Sequence, residues 1–324
     1  MPPGFFTAGN PHPRKLPLIP LSGTQEQPTV TMHCRISISL VICTRNRAQQ
    51  LNTCLDYIAA LKTSTQWELI VIDNGSSDST SHVLREFARS VSFPVIILNE
   101  PVPGLGRARN RGWRAASGEI IAFTDDDCYV LPDFLDSALE AFADPTIGYC
   151  GGRIKLYDIS DYPITINESA VPEFFPPSSY FATGVIQGAN MVFRRAALVD
   201  IGGFDNCFGH GTQFCCEDAD ACTRASFAGW WGAYAPGPTV LHAHGRKAGH
   251  AVALRRRYGI ADGAYAAKFI LRRNTRWFFA RRWCAYLAKN LRGSAPRREC
   301  ITQIEGAIRY CFYRVFKTLG GGFR

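Results

Sequence analysis

Apolar residues along this chain fall either in short continuous runs or at helical spacing, and each change marks an element. "ISISLVIC" (36–43) is a β-branched apolar run, which predicts a buried strand. In the next segment Leu51, Leu55, Ile58 and Leu61 recur at helical spacing. "WELIVIDNGSSDST" (67–80) predicts a second strand and a turn. Asp78 or Ser79 would then cap a helix whose face holds Val83, Leu84 and Phe87. A third strand follows at 94–100, a helix at 104–118 stopped by Gly118, a fourth strand at 119–124, and a helix at 132–143 with Pro in its first turn. The β-α-β-α-β-α-β series from 36 to 124 predicts an α/β fold with a mostly parallel sheet covered by helices on both faces.

Beyond 145 the pattern loosens. Strands are expected at 148–157 and 183–195, a short helix at 196–205, a helix from Glu217 onward and a strand pair at 231–245. The first 33 residues are rich in Pro and Gly and have no signal-peptide core, so they read as a flexible lead. No apolar run reaches the roughly 18 residues that a membrane span needs.

In parallel sheets ligands bind at the carboxyl ends of strands. The polar clusters "CTRNR", "DNGSSD" and "TDDD" all fall there. Asp125, Asp126 and Asp127 repel one another, which calls for positive charge nearby. Mg2+ or Mn2+ answers that call, since hard cations take carboxylate oxygens and share a diphosphate. Asp125 and Asp127 have the spacing to face one side of an extended chain. The alternative is a solvated acidic turn. Asp73 ends the second strand and suits a base or ribose contact, although Asp-Asn-Gly is also plain turn chemistry. Arg107 and Arg109, near a helix start, suit one phosphate contact. Glu217 and Asp218 open a helix, where acids commonly oppose the dipole and where a general base would also fit. One of His242 and His244 completes a metal shell, or both are structural. No Gly-x-Gly-x-x-Gly or P-loop follows the first strand, which removes the main support for dinucleotide and NTPase readings.

Taken in order, these pieces resemble the family-2 glycosyltransferases of GT-A fold. "ISLVICTRNR" looks like the family's opening motif and "ELIVIDNGSSDST" its second. "GLGRARNRGWRAASGEIIAFTDDDCYVLPDFL" is similar to the third, and "QGANMVFRRAALVDIGGFD" and "EDADACTRASFAGWWGAYAP" to the acceptor-side motifs. The resemblance covers residues 36–245. It implies a nucleotide-sugar donor (a UDP-sugar), a divalent metal and inversion at the anomeric carbon. Cys43, Thr44, Arg45 and Asn46 would line the nucleoside, and Asp73 would touch base or ribose. Asp125 would help Asp126 orient the donor, while Asp127 and His244 would hold metal. Asp218, with Glu217 beside it, would be the catalytic base. Gly188 and Asn190 lie where the family shapes the sugar and acceptor site. One departure is Arg45, where the family often has an aromatic to stack on the base.

Charge divides the chain. Residues 245–324 hold 19 Lys+Arg against 3 Asp+Glu, and the remainder 17 against 24. The sequence therefore divides into a lead (1–33), a catalytic domain (34–245, donor half 34–130 and acceptor half 131–245) and a basic amphipathic helical tail (246–324). In that tail Ile270, Trp277, Cys284 and Leu287 are expected on one helix face, with Arg272, Arg276 and Arg282 beside it. Residues 250–317 suit an anionic membrane surface, which would bring the enzyme to a lipid-linked glycan as hydroxyl acceptor. Packing on the catalytic domain is the rival account of the tail. The twelve cysteines form no C-x-x-C pair and read as reduced, so a cytoplasmic protein, peripheral on the cytoplasmic membrane face, is expected. The product would belong to cell-surface polysaccharide, lipopolysaccharide or glycolipid. The competing classes are a non-catalytic nucleotide-binding module of the same fold and a nucleic-acid-binding protein. The second is disfavoured because the acidic strand ends would repel phosphate.

Overall fold

The computed structural model describes residues 36–291 and 294–320, so the expected N-terminal lead lies outside the described residues. Four parallel strands form the first half of the sheet: β1 (Ile38–Thr44), β2 (Trp67–Asp73), β3 (Val95–Asn99) and β4 (Ile120–Asp125), in the order β3-β2-β1-β4. Three helices connect them: α1 (Leu51–Ala59), α2 (Thr80–Ser90) and α3 (Leu105–Ala115). Strand alternation sorts the side chains between the two faces. Leu40, Ile42, Leu69 and Val71 pack with Leu51, Leu55 and Leu84 of α1 and α2, whereas Val41, Ile70 and Ile72 pack with Ala108 and Trp113 of α3. Both faces are thus covered, as the apolar runs predict.

The second half is mixed. It contains β5 (Cys128–Val130), α4 (Phe134–Glu140), β6 (Ile147–Leu156), β7 (Glu173–Phe175), β8 (Asn190–Arg194), α5 (Arg195–Ile201), α6 (Glu217–Phe227) and β9 (Trp231–His242). The sheet continues β4-β8-β6-β9-β5, with β7 also on β9. β8 runs antiparallel to both β4 and β6. The strand pair expected at 231–245 is a single strand. Pro236 and Pro238 lack the N–H a ladder needs. The register against β6 therefore jumps from Gly151↔Tyr234 to Arg153↔Thr239, and the chain continues in the same direction.

Three further helices close the chain: α7 (Ala251–Ile270), α8 (Arg276–Asn290) and α9 (Ser294–Gly320). They pack on the α/β core. Ile260, Ala264, Tyr265, Phe279 and Tyr310 bury Phe208, Phe214 and Ala219 in a third hydrophobic cluster. Lys268 of α7 is buried there, 2.7 Å from Asp205 and also bonded to Asp220, which Arg224 holds from the other side at 2.8 Å. The shared apolar face expected for Ile270, Trp277, Cys284 and Leu287 does not form. Residues 271–275 interrupt the helix, and Trp277 and Cys284 face solvent. The described cysteines are all free.

Candidate active site

The carboxyl ends of β1 and β4 and the start of α6 converge on a cavity of about 680 Å3. β1 supplies Cys43 and Thr44, with Arg45 and Arg47 just beyond it; β4 and its turn supply Asp125, Asp126 and Asp127. Glu217 and Asp218, at the start of α6, also line it.

The three adjacent aspartates meet different sets of partners, with Arg47 shared between Asp126 and Asp127. Asp125 accepts from Arg109 Nη2 at 3.0 Å. Asp126 accepts from Thr44 Oγ1 at 2.7 Å and lies 3.7 Å from Arg47 Nε. Asp127 lies 3.7 Å from Arg47 Nη2 and 3.5 Å from His242 Nε2. Burial pushes the Asp126 carboxyl up to about 6, although Thr44 and Arg47 oppose the shift. Burial also acts on Asp127, but His242 and then Arg47 outweigh it and hold that carboxyl below its usual range. Asp127, His242 and Cys128 place ligand atoms within 4.8 Å of one another. The Cys128 thiol is buried and held protonated, so a hard cation would find a carboxylate and an imidazole there.

Glu217 is tied to Arg109 Nη1 at 2.6 Å, by the guanidinium that also holds Asp125. Asp218 is half-buried and accepts only backbone N–H groups, from Gly188 to Oδ2 at 2.9 Å and from Ala219 to Oδ1 at 2.7 Å. Each oxygen keeps acceptor capacity toward the cavity. Burial raises both carboxyls above their ordinary values, with Arg109 opposing in each case. The pair is aimed by Cys216, which caps α6 in the left-handed region at φ 78°, a conformation rare for a residue with a side chain. Gly188 is needed next to it. A Cβ there would meet Arg109 Nη2 at 2.5 Å, and the Gly188 carbonyl accepts from the same nitrogen at 3.1 Å.

A family model, Glycosyl transferase family 2, matches residues 39–202. The chain belongs to this family. Its fold is that of the GT-A glycosyltransferases. The mannosyltransferase PcManGT of Pyrobaculum calidifontis, solved with GDP-Man and Mn2+, superimposes with TM-score 0.59 and 21% identity over 86% of this chain and 87% of that one. Among curated relatives, Glycosyltransferase AglE of Haloferax volcanii is 24% identical over 170 residues, 52% of this chain and 56% of the relative. A pre-mycofactocin glycosyltransferase of Mycobacterium tuberculosis is 28% identical over 217 residues, 64% of this chain and 43% of the relative. The chain thus matches about half the length of these curated relatives.

Against the family pattern, Cys43, Thr44, Arg45, Asp125, Asp126, Asp127, Gly188, Glu217 and Asp218 are brought together on one cavity. Others are not. Asp73 is buried beside the site, its Oδ1 accepting from Ser76 N at 2.9 Å, and it is Asn74 that reaches the wall. Asn46 turns away to accept from Ser77 N at 2.8 Å. Asn190 lies behind the wall, donating to Arg153 O and Pro238 O at 3.0 Å each and so tying β8 to β6 and β9. Arg107 faces solvent outside the cavity. Arg109 reaches the floor but spends its guanidinium on Asp125, Glu217 and Gly188, so the expected phosphate fork is already engaged. Of the two histidines, it is His242 that lines the cavity beside Asp127. The register Cys128↔His242 sets His242 beside Asp127, whereas His244 lies past the strand end, 3.5 Å from Asp161. Reading the sequence also missed Arg47, although it belongs to the quoted "CTRNR", and Tyr258 and Asp262, which α7 contributes from outside the matched motifs.

Proposed function

We propose that the protein transfers a sugar, with inversion, from a nucleotide-sugar (a UDP-sugar) to a hydroxyl of a lipid-linked glycan acceptor, for cell-surface polysaccharide, lipopolysaccharide or glycolipid. The observation that carries this reading is one cavity lined both by the three adjacent aspartates and by Asp218. Asp218 accepts the acceptor's hydroxyl proton while that oxygen attacks the anomeric carbon, and the bond to the diphosphate breaks on the opposite face. Glu217 does not compete for this role, because Arg109 holds it at 2.6 Å. Asp127 and His242 would hold Mg2+ or Mn2+, and Thr165 Oγ1, 3.4 Å from His242 Nδ1, leaves Nε2 turned toward Asp127. When bound, the cation supplies positive charge at the leaving diphosphate. Arg47 adds a fixed cation between Asp126 and Asp127, and Thr44 orients Asp126. A non-catalytic module of the same fold is disfavoured by the presence of both Asp127 and Asp218 on the wall.

The test is a thermal-shift screen of UDP-, GDP- and dTDP-sugars with and without Mn2+. The expected result is Mn2+-dependent stabilisation by one donor class, about 2.7 kcal/mol at a hundredfold excess over Kd, which Asp127→Ala and His242→Ala abolish. No metal-dependent stabilisation by any of the three would sink the donor reading.

A further inference from the structure

α9 has two apolar sides, and among the described residues only one is packed against the rest of the protein. Ala307 and Tyr310 are buried in the third cluster, and α9 crosses α7 so closely that a Cβ on Gly263 would overlap the Gln303 carbonyl. The other side carries Ile301, Ile304, Ile308, Phe312, Val315 and Phe316, all between 38% and 68% exposed. At helical spacing these six fall within an arc of about 120°. They run for sixteen residues, about 24 Å. A folded monomer seldom exposes so continuous an apolar stripe without using it. None of the six lines the cavity.

We propose that this face of α9 docks on an anionic lipid surface. Charge selects the occupant. Arg297 and Arg298 are exposed at the head of the stripe and Arg309 at its edge. The one acid on that side, Glu305, is held by Arg256 at 2.9 Å and by Arg309 at 2.5 Å. Nearby in sequence, α8 exposes Trp277 at 81%, between Arg273 and Arg281. A second copy docked on this face would set Arg297, Arg298 and Arg309 against the same arginines, like charge against like. A layer of anionic headgroups is the complementary surface. Apolar side chains enter the acyl boundary while arginines stay among the headgroups. The helix lies along the surface, since no helix among the described residues is long and apolar enough to cross a membrane. This inference concerns a different surface from the cavity and stands or falls separately from the sugar-transfer reading.

Vesicle flotation of the full chain tests it, using phosphatidylcholine alone and phosphatidylcholine with phosphatidylglycerol. Flotation is expected with the anionic vesicles and not with the neutral ones, weakening as salt is raised. Ile308→Glu with Phe312→Glu should reduce it about tenfold or more, with the melting temperature unchanged because both positions are exposed. Should that double variant melt lower, Ile308→Ser with Phe312→Ser replaces it under the same expectation. Flotation of neither vesicle, equal flotation of both, or undiminished flotation of the variants overturns the proposal. So does a dimer in light scattering that the double variant dissociates, because that outcome assigns the stripe to a second copy.

Discussion

The run "TDDD" poses its problem residue by residue, and the answer comes from distant parts of the chain. Arg109 neutralises Asp125, Thr44 and Arg47 hold Asp126, and His242 with Arg47 holds Asp127. The three are therefore unequal: Asp126 is pushed up to about 6 and Asp127 is held below its usual range. Asp218→Asn keeps one of the two backbone N–H contacts, since its amide nitrogen cannot accept, and removes the proposed base. Turnover is expected to fall about 10²- to 10⁴-fold with donor affinity unchanged by calorimetry. Wild-type turnover in that variant would assign the base elsewhere. Gly188→Ala probes the same site through packing. Its methyl would displace Arg109 and leave buried Glu217 without its cation, at about 3–5 kcal/mol. The denaturant midpoint measures that loss.

At the scale of elements, α7 is the link between the helical extension and the cavity. Asp262 on α7 accepts from Thr183 Oγ1 at 2.5 Å and lines the wall. Its carboxyl is pushed up to about 7, chiefly by burial, with Glu299 and Asp218 adding to the shift and the Thr183 bond opposing it. An acid raised in this way binds its proton more tightly folded than unfolded. Its favourable contribution is then complete below about pH 4 and is lost as pH rises to about 7. Asp262→Asn removes this dependence. Melting temperatures of variant and native chain should coincide near pH 4, and the variant should melt higher at pH 8. Parallel melting curves across that range would show that Asp262 does not titrate there. The start of α6 is a second element-scale device. A strained Cys216 turns the helix so that Asp218 faces the cavity while Asp220 enters the buried network with Lys268.

For the whole molecule, the extension completes a core as well as carrying charge. Removing residues 251–324 would uncover Phe208, Phe214 and Ala219, which α7, α8 and α9 bury. Each large apolar side chain so exposed costs about 1.5–3 kcal/mol. Such a truncation is expected to lose its cooperative melting transition and to bind the dye ANS; a sharp transition at the native temperature would contradict this. Basic composition drew attention to the extension, yet composition is the same for a packed face and a free one. The expected apolar face of Ile270, Trp277, Cys284 and Leu287 failed because helical spacing was carried across residues 271–275, where the helix stops.

What the sequence determined alone is local in origin. Continuous apolar runs specify β1 to β4, and helical spacing specifies the helices between them. Their carboxyl ends therefore had to collect Thr44, Arg45 and the three aspartates, and the motifs carried Glu217 and Asp218 with them. Tertiary structure decided whatever depends on pairing between distant segments. Register on β5 put His242, two residues from the expected His244, beside Asp127. The pairing of β8 with β6 buried Asn190 behind the wall. Close packing at Gly188 turned Arg109 inward onto two acids. Spacing along a chain reports which face of one element a residue occupies, while the partner across a sheet or cavity is set by long-range packing, which no single stretch encodes.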